Sequence, residues 1–169
     1  MLYRLFKPED FDPLYALEER CFEPPSRFGR RYMRQLVSRA KAAAWIAEED
    51  GRLWGFAIVE WSEGRRGAPC DRSSSLGCRC GVTAYIQTIE VAPEARGRGV
   101  GGALLGSIEG SAHAAGAGLI WLHVESANSD AIRLYEAQGY ACDGRQENYY
   151  PHGRPAFIYV KRLDSGTAS

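Results

Sequence analysis

The run Ile89-Glu90-Val91-Ala92-Pro93-Glu94-Ala95-Arg96-Gly97-Arg98-Gly99-Val100-Gly101-Gly102 puts a strand, a turn and a helix start in succession, with four glycines at the junction. Glycine lets a backbone approach a ligand closely, and the free amides of a helix start carry partial positive charge, so such a turn can cradle phosphate. A tight strand-to-helix turn without a ligand uses the same residues. A nucleotide-triphosphate loop needs a lysine after its last glycine, and no lysine stands between Ile46 and Val160. A dinucleotide fingerprint fits poorly too, because this turn opens a helix two thirds along the chain with no first βαβ unit before it.

Three residues are candidates for moving protons. His123 has an ordinary pKa near 6.5, which suits a base at neutral pH. In the run Leu119 to Glu125, strand alternation sets Ile120, Leu122 and Val124 on one face and Trp121, His123 and Glu125 on the other. His123 therefore stands off the aliphatic face, although a structural histidine bridging a sheet to a helix would also fit. Tyr85 is its companion, one strand over, and packing is the alternative role for a strand tyrosine. Glu90 is a third candidate base, since a carboxylate beside a phosphate turn must be exposed or used. Metal chemistry has weaker support, and no metal is expected. Cys70, Cys78 and Cys80 have the spacing C-x7-C-x-C with no histidine near, short of the four ligands and paired spacing of structural zinc. They lie in a Gly-, Ser- and Arg-rich stretch, residues 62–81, that reads as an inserted loop.

The surrounding pattern supplies elements to hold these residues. Leu2 to Phe6 reads as a strand, Asp10 as the cap of a helix from Phe11, and Pro24-Pro25 as its end, with Ser26 capping a second helix through Val37. Ala43 to Glu48 and Leu53 to Trp61 form a hairpin around Asp50-Gly51, a pair suited to two positive φ values. Thr83 to Val91 is a strand, and Val100 to Ala112 has helical spacing stopped by Gly116 and Gly118. Leu119 to Glu125 is a strand, Asn128 starts a helix closed by Gly139, and two strands follow at Tyr140 to Tyr150 and Ala156 to Leu163. The order is β α α β β β α β α β β, an α/β domain over residues 1–163 with a disordered tail at 164–169.

Composition narrows the partners. The chain has 169 residues, 21 basic and 21 acidic side chains, and 45% hydrophobic residues, which fits one globular domain and removes any global charge drive toward nucleic acid or anionic membranes. No apolar run reaches the roughly 18 residues of a spanning helix, and the first residues carry no signal-peptide pattern. Five cysteines, an odd number in a chain that needs no staples, fit reduced thiols in the cytoplasm. The expected state is a monomer or homodimer.

Arg96 to Gly101, as R-x-x-G-x-G, resembles the acyl-CoA pyrophosphate loop of the GNAT superfamily of N-acetyltransferases. Asn128 to Tyr140 is similar to its second signature, N-x-x-A-x-x-L-Y-x-x-x-G-F, with Tyr140 for Phe. The resemblance implies a single-domain fold with a mixed, mostly antiparallel sheet flanked by helices, and acetyl-CoA as co-substrate. It implies cofactor contacts at Val91, Arg96, Gly97, Arg98, Gly99, Gly101, Gly102 and Asn128. Tyr135 would protonate the leaving thiolate and also meet the cofactor. Cys21 to Ser26, Leu122-His123-Val124 and Asn148 to Pro151 resemble protein N-terminal acetyltransferases, including the ribosomal-protein-alanine type. Pro25, His123 and Pro155 depart from the bacterial ribosomal type, and Tyr85 with His123 fits the eukaryotic type better. On this likeness Phe22, Pro24, Tyr149 and Tyr150 bind the acceptor, a protein or peptide N-terminus; a small amine or lysine side chain is the alternative, and a non-catalytic acyl-CoA-binding module a third. An α-amine suits a weak base: with an ordinary pKa of about 7.7 to 8.0, roughly a tenth is neutral at pH 7, against about one part in 10³ for lysine.

Overall fold

The computed structural model describes residues 1–63 and 81–163. Its strands are β1 (Leu2–Leu5), β2 (Ala42–Glu49), β3 (Arg52–Glu63), β4 (Val82–Val91), β5 (Leu119–Glu125), β6 (Ala141–Tyr150) and β7 (Arg154–Arg162). Its helices are α1 (Phe11–Cys21), α2 (Arg30–Val37), α3 (Val100–Ala114) and α4 (Ser129–Ala137). The seven strands form one sheet in the order β1-β2-β3-β4-β5-β7-β6. The β1/β2, β2/β3, β5/β7 and β6/β7 pairs are antiparallel, and β4 and β5 run parallel. The element order is the one the sequence predicts. The chain divides into two compact units, residues 1–60 with 86–111 and residues 61–85 with 112–169. Cys70, Cys78 and Cys80, with nearly all of the predicted insert, and the 164–169 tail lie outside the described residues. Among those described, no helix is long and apolar enough to cross a membrane.

In the first unit the hairpin turns as its residues require, with Asp50 at φ 54° and Gly51 at φ 73°. Two predicted caps differ. Asp10 stands before α1 but makes no capping bond; its carboxylate pairs with Arg4 at 2.7 Å and accepts the Lys7 amide at 2.7 Å, so a charge partner displaces the cap. Ser26 lies in a turn, and α2 starts four residues later, with Gly29 at its cap position. The first-unit part of α3 buries Val100, Leu104, Leu105 and Ile108. Gly55 of β3 permits that packing: a Cβ there would stand 2.8 Å from the Glu90 carbonyl oxygen, 3.0 Å from Leu104 Cδ1 and 3.3 Å from Val100 Cγ1. Gly55→Ala is therefore expected to destabilise the fold by about 1–3 kcal/mol, the usual cost of overpacking. A denaturant midpoint equal to wild type would show that the contact yields freely.

In the second unit Ile120, Leu122 and Val124 are buried, as the alternation of β5 predicts. Tyr85 is in register with Trp121, so Tyr85, Trp121 and His123 share one face of the sheet.

Candidate active site

That shared face carries a hydrogen-bonded chain. The Tyr85 hydroxyl lies 3.0 Å from His123 Nδ1 and 3.2 Å from the Tyr149 hydroxyl. His123 Nε2 lies 3.2 Å from Gln146 Oε1. An amide oxygen only accepts, so this orientation of Gln146 assigns the ring proton to Nε2 and leaves Nδ1 to accept from Tyr85. Tyr149 stacks on the imidazole at 4.0 Å and 12°. It reaches that place where the β6/β7 register breaks between Gln146 and Tyr150, with Asn148 left-handed at φ 55°. The Tyr150 hydroxyl donates to the His123 carbonyl at 3.3 Å, and burial pushes that phenol up to about 12. Trp121 closes the cluster, its ring 4.7 Å from Tyr85 and 5.4 Å from His123. Four of the predicted residues, Tyr85, His123, Tyr149 and Tyr150, thus meet. Gln146, which orients the imidazole, carries no signal in the sequence.

The same unit holds Asn128 and Tyr135. Asn128 Oδ1 accepts the Ala131 amide at 3.2 Å and so caps α4. Tyr135 is buried among the rings of Tyr140 and Tyr159, at 5.7 and 6.4 Å. Burial, with a smaller effect of Tyr150, raises its pKa well above the usual phenol value, so the hydroxyl keeps its proton at neutral pH.

The first unit holds the other predicted residues. Gly97 at φ 74° and Gly99 at φ 79° occupy the left-handed region, which explains why glycine stands at both. The Ala103 amide donates to Gly99, so the amides of Val100, Gly101 and Gly102 precede the first helical bond and can meet an anion. Arg96 donates to the Val91 carbonyl at 3.3 Å, and Arg98 pairs with Glu49 at 2.9 Å. Phe22 is exposed, and the Pro24-Pro25 peptide beside it is cis. Glu90 is buried beside Glu18, and desolvation followed by the Glu18 hydrogen bond holds its pKa far above the carboxylate range. It keeps its proton at neutral pH, the opposite of what a base needs.

The acetyltransferase (GNAT) family model matches residues 11–140, and the chain belongs to that family. It is an N-acetyltransferase with acetyl-CoA as co-substrate. It is 27% identical over 169 residues to an uncharacterized N-acetyltransferase of Methanocaldococcus jannaschii, covering 96% of this chain and 92% of that one. It is 31% identical over 146 residues to the mycothiol acetyltransferase of Thermobispora bispora, covering 81% of this chain but 45% of that enzyme. Its fold is similar to the Escherichia coli ribosomal-protein-S18-alanine N-acetyltransferase, with TM-score 0.76 and 21% identity over 99% of this chain and 97% of that one. It is similar also to Arabidopsis thaliana NAA60 in complex with acetyl-CoA, with TM-score 0.79 and 23% identity over 95% and 97% of the chains.

Proposed function

We propose that this protein transfers acetyl from acetyl-CoA to the N-terminal α-amine of a peptide or protein by direct attack. The observation that carries the reading is the hydrogen-bonded chain Tyr149, Tyr85, His123, Gln146. The amine nitrogen attacks the thioester carbonyl, a C–N bond forms and the C–S bond breaks. As the amine loses its proton to the Tyr85 oxygen, the Tyr85 proton passes to His123 Nδ1, leaving an imidazolium whose Nε2–H stays on the ring and donates to Gln146 Oε1. The departing thiolate takes the Tyr135 proton, which burial has kept in place. In the first unit the turn from Arg96 to Gly102 would hold the pyrophosphate and Val91 the pantetheine arm; in the second, Asn128 would meet that arm. A weak relay of this kind suits an α-amine, already partly neutral near pH 7. For an acceptor chain, the second unit offers the rings and hydroxyls of Tyr149, which is exposed, and Tyr150; the first unit offers the apolar surface of the exposed Phe22 with Pro24. A cytoplasmic setting accords with the odd number of cysteines.

The test compares acetylation of short peptides of varied first residue with that of free amino acids, polyamines and lysine peptides. A peptide of four or more residues is expected to exceed its free first amino acid at least tenfold in kcat/KM, because truncation removes remote binding energy. Tyr149→Ala and Tyr150→Ala should each erase much of that gap. Better turnover of free amines than of every peptide overturns the reading in favour of a small-amine acceptor.

A further inference from the structure

Two buried carboxyl groups in the first unit take no part in the proton relay. Glu18 on α1 is 0% exposed and Glu90 on β4 is 3% exposed. One oxygen of each has a partner: Glu18 Oε1 accepts the Phe28 amide at 2.7 Å, and Glu90 Oε1 accepts the Thr88 hydroxyl at 3.0 Å. The other oxygen of each, Oε2, is buried and, as a carboxylate oxygen, has no donor. The two side chains are within hydrogen-bond reach of one another. Two carboxylates so placed would leave two orphaned acceptors and two like charges in a dry site, whereas one proton between them satisfies both oxygens and removes one charge.

We propose that Glu18 and Glu90 share one buried proton, carried on Glu90 Oε2 and donated to Glu18 Oε2, and that this bridge is a positioning device that fastens residues 22–29 to β4. The fastening runs through Phe28, whose amide is held by Glu18 and whose carbonyl accepts from the Tyr15 hydroxyl at 3.2 Å. Both holding side chains belong to α1, and Cys21, at the end of that helix, has its sulfur 4.0 Å from the Val91 carbonyl oxygen. The groups that face the bridge are Thr88 and the Cys21 thiol, itself pushed up to about 11 mainly by burial, with the guanidinium groups of Arg20 and Arg96 beyond the thiol. That Phe22 and Pro24 in the fastened segment meet the acceptor rests on the function proposed above.

The sign of the pH effect follows from the shared proton. An unfolded Glu90 loses its proton near its ordinary pKa of about 4.3, while the folded chain keeps it to far higher pH. Between those limits the folded state binds one proton more than the unfolded state, so the bridge makes stability fall as pH rises, tenfold in the folding constant per pH unit for one proton. Glu90→Gln replaces the acid by an amide that donates to Glu18 and accepts from Thr88, with nothing to titrate. Denaturant unfolding of wild type and E90Q from pH 5 to 9 is expected to give a ratio of folding constants that grows in favour of E90Q by up to tenfold per unit. Parallel pH profiles overturn the shared proton.

Amide exchange at Phe28 tests the fastening. Glu18→Ala is expected to speed it roughly tenfold or more, the effect of losing a bond to a charged group, while Glu18→Gln, whose amide can accept from Phe28 and donate to Glu90, preserves protection. Equal exchange in wild type and both variants overturns the fastening, and should E18A fail to fold, the E90Q profile still decides the proton. A raised acceptor KM in E18A, restored in E18Q with acetyl-CoA KM unchanged, supports the positioning role. An unchanged acceptor KM, beside a flattened E90Q profile and faster Phe28 exchange, leaves the bridge standing and removes Phe22 and Pro24 from the acceptor groove.

Discussion

Gly101→Glu is expected to abolish measurable acetyl-CoA binding while the protein stays folded, with Kd raised at least a hundredfold. Gly101 lies in the first turn of α3, among amides that precede the first helical hydrogen bond. A pyrophosphate held there depends on close backbone approach and on the positive end of the helix. A glutamate adds bulk and a negative charge at that point. The same helix end tolerates the change: the first turn of α3 has no acidic residue, a carboxylate near a helix N-terminus contributes about 0.3–1 kcal/mol, and glutamate is a better helix former than glycine. Loss of binding and retention of fold thus have one electrostatic origin. Calorimetric titration with CoA, beside circular dichroism, checks both, and an unaltered CoA affinity would move the cofactor site away from the glycine turn.

His123→Phe should lower kcat about 10²-fold, the low end for removing a positioned base, with acetyl-CoA affinity unchanged. Phenylalanine keeps a ring for Tyr149 to stack on, so the loss reports the missing Nδ1 lone pair rather than a collapsed cluster. Tyr85→Phe should cost a similar factor, since it removes the hydroxyl 3.0 Å from that nitrogen. Residues that act as one relay are grossly non-additive, so the double variant should fall little below either single one. Rates measured from pH 6 to 9 provide the check. Normal turnover in both single variants would remove the relay from the mechanism, and a double variant near the product of the two losses would make Tyr85 and His123 independent contributors.

Most of the fold was legible because local rules agree with one another along this chain. Asp50-Gly51, the α3 spacing of Val100, Leu104, Leu105 and Ile108, and the alternation of β5 each point to one element type, and each forms it. The misplaced caps show where local rules lose: Asp10 has a capping side chain, yet Arg4 lies within 2.7 Å, and no local pattern announces that partner. The site divides in the same way. His123 showed itself by lying off an aliphatic face, and Tyr85 by being one strand away. Gln146 and the Glu18–Glu90 pair were hidden, because each depends on elements far apart in the chain. Glu18 is a fully buried carboxylate on α1, an oddity that Glu90 and the Phe28 amide explain. Glu90 looked like a base because nothing in the sequence reveals that its surroundings hold it protonated.

The stacking of Tyr149 against His123, at 4.0 Å and nearly parallel, governs more than contact area. An imidazole that turns over about its Cβ–Cγ bond puts a carbon where each nitrogen stood, Nδ1 changing places with Cδ2 and Nε2 with Cε1. Here that rotation would sweep the ring through the plane Tyr149 occupies and break the bonds to Tyr85 and Gln146 together. The ring is thus held in one of its two facings, with Nδ1 toward Tyr85 and Nε2 toward Gln146. In the proposed relay the proton enters on the side facing Tyr85, and the Gln146 amide oxygen on the other side takes no proton, so the same side returns it: a port with one door rather than a passage with two.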